Sequence, residues 1–108
     1  MDRKDTDYIS AYLNRDALER GLTQTEIAKA ANVSRQTVYH FWMRHQTVTL
    51  QFLFRYAKCA GITASELLRS IADALEPENR GSLDRFMDEE EKRIAEKKRP
   101  KKIKKTYR

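Results

Sequence analysis

Residues 24–41, QTEIAKAANVSRQTVYHF, constrain the possible folds of this chain more than any other stretch. Apolar residues recur at helical spacing on both sides of Asn32, and a capping residue precedes each run. Thr23, with Glu26 three positions on, forms a capping box for a helix over residues 24–31 that turns Ile27, Ala28 and Ala31 inward. Asn32 fills the turn, because asparagine tolerates a left-handed backbone better than other non-glycine residues. Ser34 caps a second helix, predicted from Arg35 to about His45, with Val38 and Phe41 inward and Trp42 beside them. Two short helices joined so tightly must meet at a steep angle, which requires a small residue at the contact. Ala28 is placed there, and Ile27, Val33, Val38 and Phe41 are the plugs that fix one helix on the other.

The flanks read as helices too. Ile9, Tyr12, Leu13, Ala17 and Leu18 have helical spacing over residues 7–20, with Gly21 as C-cap and Leu22 as core anchor. Thr49 caps a helix over residues 50–60 with Leu53, Ala57 and Ala60 inward, and Gly61 ends it. Thr63 and Glu66 make a second capping box ahead of Leu67, Leu68, Ile71 and Leu75. Pro77 blocks simple continuation, so residues 77–81 read as a linker. Ser82 then caps a charged sixth helix to about Arg99, ended by Pro100. Its apolar positions, Leu83, Phe86, Met87 and Ile94, are sparse, and Asp88/Lys92 and Glu89/Arg93 are acid-first i,i+4 pairs. The run KKIKKTYR, residues 101–108, is expected to be disordered when free. Three glycines and two prolines are too few for an all-β chain.

The chain has 108 residues, 40% hydrophobic and 35% charged, which predicts one small domain and a tail. No apolar run approaches the ~20 residues needed to span a bilayer. The N-terminal MDRKD lacks the apolar core of a secretion signal, and the lone Cys59 has no internal partner, so a cytoplasmic protein is expected. The net charge of +6 is unevenly spread. Residues 97–108 hold eight Lys or Arg and no acid, leaving 14 basic against 16 acidic residues elsewhere. A second, smaller excess lies in residues 23–45, where Lys29, Arg35 and Arg44 face only Glu26. A local basic patch with a polycationic tail fits a nucleic-acid partner. His40 and His45 do not have metal-ligand company, no nucleophile–base–acid set is readable, and neither an enzyme nor a cofactor is expected.

The outward residues of the second short helix sharpen this expectation. Arg35, Gln36, Tyr39 and His40 all carry hydrogen-bonding groups. Arginine can pair with two guanine acceptors and glutamine with adenine in the major groove. Two helices with the second presenting its first turn to base edges is the layout of a DNA-reading helix-turn-helix.

RGLTQTEIA at residues 20–28, together with Val33, Ser34, Val38 and Phe41, resembles the phage repressor/Cro type of helix-turn-helix family. YAKCAGITASELL at residues 56–68 resembles that family's fourth and fifth helices. The resemblance covers roughly residues 8–75. It implies an all-α, five-helix repressor-like domain over residues 1–76, followed by a linker and charged helix at 77–99 and a basic tail at 100–108. It further implies that Gln24 touches phosphate, that Ser34, Arg35, Gln36, Tyr39 and His40 face bases, and that Thr47 and Thr49 lie in a loop that contacts the backbone. Arg44, in the local basic patch, and Lys101, Lys102, Lys104 and Lys105, in the tail, are added as candidate DNA contacts on charge. Three departures from the family pattern stand out, the first being Asn32 in the turn, where glycine is commonest. Ala17 and Trp42 occupy positions where members often carry a buried ion pair, and Met43, Arg44 and His45 replace the glycine often found after the reading helix.

The expected function is sequence-specific double-stranded DNA binding for transcription control, as a repressor that covers a promoter. The expected form is a homodimer on a near-palindromic operator, in a bacterium, phage or mobile element, without a membrane or a small-molecule ligand. Helix 5, Trp42 or the seam of the sixth helix is the expected dimer contact. The alternatives are an antitoxin-like protein-interaction module and an architectural or excision factor that bends DNA.

Overall fold

The computed structural model describes residues 3–98. Among the described residues six helices follow one another: α1 (Asp5–Arg20), α2 (Gln24–Ala31), α3 (Arg35–Trp42), α4 (Leu50–Ala60), α5 (Ala64–Ala74) and α6 (Arg80–Lys98). No described helix is long and apolar enough to cross a membrane. The expected disorder of residues 101–108 and the DNA contacts assigned to Lys101, Lys102, Lys104 and Lys105 lie outside the described residues.

Local chemistry sets most of the boundaries. The hydroxyls of Thr23, Ser34, Thr49 and Thr63 each accept a hydrogen bond from a backbone N–H three residues on. Thr23/Glu26 and Thr63/Glu66 complete reciprocal capping boxes. Helices α1, α2 and α4 end alike, with a left-handed residue at Gly21, Asn32 and Gly61. In each, the next N–H returns to a carbonyl of the last turn: Leu22 to Ala17 at 2.9 Å, Val33 to Ala28 at 3.0 Å and Ile62 to Ala57 at 3.0 Å. These Schellman closures satisfy otherwise orphaned carbonyls and drive Leu22, Val33 and Ile62 against the core.

The main core lies between α1 and the α2–α5 set. Leu13, Ile27, Val38, Tyr56 and Leu67 are almost wholly buried there, and Phe41, Trp42 and Phe52 form an aromatic cluster beside them. Ala17 and Trp42 belong to the same core, 2% and 3% exposed, so an apolar pair stands where an ion pair was the family expectation. The substitution of hydrophobic packing for a buried ion pair need not cost stability. Tyr56 buries its ring and donates its hydroxyl to Asp16 Oδ2 at 2.7 Å. Burial, then that bond, raises the phenol's pKa well above its ordinary value.

Several expectations need correction. Leu18 is 62% exposed and Leu68 39%, because the apolar stripe of each helix is narrower than the sequence spacing implies. On α4, Phe52 and Tyr56 carry much of the burial alongside Leu53 and Ala57, while Ala60 is only partly covered. Helix α1 starts two residues early because the Asp7 side chain accepts from the Lys4 N–H. Helix α3 stops at Trp42 rather than near His45.

Helix α6 departs most from expectation. It begins at Arg80, not after Ser82, and lies against α1. Leu83 and Met87, both 0% exposed, insert beside Tyr8 and Ala11. Around them, the Arg3 guanidinium donates to Asp84 at 2.9 Å and to Asp88 at 2.9 Å, and Tyr8 donates its hydroxyl to Asp84 at 2.8 Å. The Tyr8 bond, and then Arg3, hold the Asp84 carboxyl below its usual range against the opposing effect of burial. Asp88 thus serves Arg3 rather than an i,i+4 partner. A seam too sparse for a core of its own becomes sufficient when α1 supplies the other half. Trp42, Leu83 and Met87 are therefore used inside the protomer and are not available as dimer contacts.

Ala28, 6% exposed in the core, tests the helix pair directly. Ala28→Leu adds three carbons where α2 meets its neighbours, so it is expected to lower stability by ~1–3 kcal/mol. A urea melt of the variant with an unchanged midpoint would show that nothing approaches closely there.

Candidate nucleic-acid interface

Helix α3 buries Val38, Phe41 and Trp42, and this fixes its rotation. Helical periodicity then turns Arg35, Gln36 and Tyr39 to the opposite side, where all three are exposed. Gln24, the first residue of α2, joins them around one open concavity. The surface holds a guanidinium, two carboxamides and a phenol on rigid helices. Such a set offers bidentate pairing to guanine and adenine edges, which discriminates by ~1–3 kcal/mol per good pair. His40 is half-buried at the edge, next to the Tyr39 ring at 6.0 Å and the His45 ring at 5.6 Å between centroids.

The remaining candidates are placed differently. Ser34 Oγ accepts from the Thr37 N–H at 3.0 Å and shares a 2.8 Å hydrogen bond with Thr37 Oγ1, so its hydroxyl is engaged in capping. Thr49 Oγ1 likewise accepts from Phe52 N–H at 3.1 Å. Thr47 is exposed and lines a polar recess with Lys4, Thr6, His45 and Gln46, where the start of α1 meets the loop after α3. Lys4, His45 and Gln46 were not among the sequence candidates. Their proximity depends on how α1 packs, which no local pattern encodes.

Arg44 differs most from its expected setting. The end of α3 repeats the closure seen elsewhere, with His45 N–H donating to His40 O at 2.9 Å and Arg44 N–H to Phe41 O at 3.1 Å. Arg44 holds the left-handed position, φ 64°, where glycine is usual. That backbone costs an L-residue roughly 1–2 kcal/mol. Its guanidinium donates to Glu90 Oε1 and Glu91 Oε2, each at 3.0 Å, rather than standing free on the surface. Glu90, 6% exposed, also accepts from Asn14 Nδ2 at 2.6 Å. One buried network therefore joins α1, the loop after α3, and α6. The acidic stretch from Asp88 to Glu91 is engaged with Arg3 and Arg44 among the described residues.

A family model described as helix-turn-helix matches residues 15–67, spanning most of α1 through the start of α5. No curated protein and no solved structure matches the chain.

Proposed function

Because residues 15–67 of this chain belong to the helix-turn-helix family of the phage repressor/Cro type, we propose that the chain is a sequence-specific double-stranded DNA-binding regulator that reads bases with α3. The observation that carries the proposal is the exposed set Arg35, Gln36 and Tyr39, gathered with Gln24 on one surface of a helix whose other face is locked in the core. Gln24, Thr47 and Thr49 are assigned to the phosphate backbone, and Ser34 and His40 to the edge of the base-reading surface. Arg44 contacts phosphate only if its bonds to α6 open.

The regulator acts as a repressor by covering a promoter, as a homodimer on a near-palindromic site in the cytoplasm. One reading helix spans few base pairs, and symmetric half-sites double the sequence that is read. Leu50 and Phe54 on α4 and Leu68 on α5 are the large apolar side chains exposed there, and they are the proposed dimer contact.

Electrophoretic mobility shift across a salt series, on a selected site and on random duplex, tests the function. Tighter binding to the selected site supports it, and binding to neither DNA refutes it in favour of a protein-interaction module. Equal binding to both with strong bending would indicate an architectural factor.

The same titration tests the tail. Residues 97–108 carry eight positive charges without an acid. Their removal is expected to flatten the slope of log affinity against log salt by up to several units, at ~0.9 for each phosphate no longer neutralised. Specific and random affinities should fall by similar factors, because phosphate contacts carry no base information. An unchanged slope would remove the tail from the interface.

A further inference from the structure

Charge is segregated along α6. Residues 80–91 carry five acids (Asp84, Asp88, Glu89, Glu90, Glu91) against Arg80 and Arg85. Residues 92–98 carry Lys92, Arg93, Lys97 and Lys98 against Glu96 alone. The two halves occupy different places in the fold. The acidic half lies on the body, where Asp84, Asp88, Glu90 and Glu91 pair with Arg3 and Arg44. The basic half lies across a cleft from Tyr39 of α3 and from Met43, the residue that follows α3. There Arg93, Ile94, Glu96 and Lys97 line an open cleft of about 670 Å³ together with Glu90, Tyr39 and Met43. Arg93 and Lys97 are both exposed and stand one helical turn apart.

Resting on the reading of α3 as the base-reading helix, we propose that the face of α6 bearing Arg93 and Lys97 forms a second DNA-contact element, which takes the sugar–phosphate strand running alongside α3. A helix with its side chains is ~10–12 Å across and the major groove ~12 Å wide, so α3 fills the groove. Anything fixed at the flank of α3 then meets a phosphate strand rather than base edges. The Arg93 guanidinium and the Lys97 ammonium are the phosphate donors in this cleft. Glu90 also lines it, but its carboxylate is bound by Arg44 and Asn14. Glu96 in the same lining and the negative end of the α6 dipole oppose phosphate, and the paired charges of Arg93 and Lys97 outweigh them. The acidic half of the helix acts as the mount: its bonds to Arg3 and Arg44 hold α6 in place against the loop after α3.

The test uses the full chain with Arg93→Gln and Lys97→Gln combined, and Lys92→Gln as a charge-removal control that does not line the cleft. On the selected site, the double variant should lose roughly 10-fold in affinity, with a salt slope smaller by up to about 1.8 for two phosphates no longer neutralised. Its base preference should be unchanged. Hydroxyl-radical footprinting should show weakened protection on one strand at a flank of each half-site, while Lys92→Gln keeps that protection. An unchanged footprint and slope in the double variant would overturn the proposal, as would tighter binding, which would mean that α6 obstructs DNA. Arg35→Ala in the same assay separates the two levels. If Arg35→Ala relaxes base preference while the double variant changes nothing, α3 reads DNA and α6 does not touch it. If the wild-type protein shows no site preference, the reading of α3 fails and the α6 contact fails with it.

Discussion

Glu90→Ala is expected to lower the unfolding free energy by about 3 kcal/mol, the lower end of the range for removing one partner of a buried ion pair. Glu90 is 6% exposed and takes hydrogen bonds from two distant elements, Asn14 at 2.6 Å and Arg44 at 3.0 Å. Its removal strands an Arg44 guanidinium that is only 12% exposed, with Glu91 as remaining carboxylate partner. It also leaves Asn14 Nδ2 without its acceptor. The same change removes part of the support for the left-handed backbone at Arg44, leaving Glu91 and the backbone closure. Glu90→Gln keeps the shape and an acceptor oxygen, so it should cost less. Urea unfolding of Glu90→Ala, Arg44→Ala and the double variant gives the coupling energy, which should be well above that of an exposed pair. A destabilisation below about 1 kcal/mol for Glu90→Ala, the most an exposed pair usually contributes, would show that α6 is not fastened through this residue.

Arg35→Ala and Gln36→Ala are each expected to cost ~1–3 kcal/mol at the cognate site and to relax preference at one base position apiece. Neither side chain packs in the core, so stability should be unchanged and the effect is one of recognition. The two act on neighbouring bases, and the double variant should approach the affinity of the wild-type protein for random duplex. Competition binding against single-base variants of the site measures this. Folded variants with wild-type affinity and preference would remove α3 from the base-reading role.

What was legible in the sequence was what neighbouring residues decide. The capping boxes at Thr23/Glu26 and Thr63/Glu66, the Ser34 and Thr49 caps, and the turns at Gly21, Asn32 and Gly61 depend on interactions between residues a few positions apart. They set the start of four helices and the end of three. The inward face of α3 was legible as well, since Val38, Phe41 and Trp42 leave only one rotation for Arg35, Gln36 and Tyr39. What was not legible depends on partners far along the chain. Helix α3 ends at Trp42 because Arg44 turns left-handed, and Arg44 is held by Glu90 and Glu91, 46 and 47 residues away. Helix α6 looked like a charged segment with a weak seam because Leu83 and Met87 are completed by Tyr8 and Ala11 of α1. Leu18 fitted the helical period of α1 and still faces solvent. Periodicity gives the centre of a buried stripe, and packing determines its width.

We propose that α3 reads DNA sequence from its exposed face. Selection of bound duplexes from a random library with the full chain tests this most directly. One motif with two related half-sites about one helical turn apart should be enriched, and preference at defined positions should weaken when Arg35 or Gln36 is replaced by alanine. Recovery of sequences with no shared motif, or of a motif that Arg35→Ala and Gln36→Ala leave intact, would contradict it.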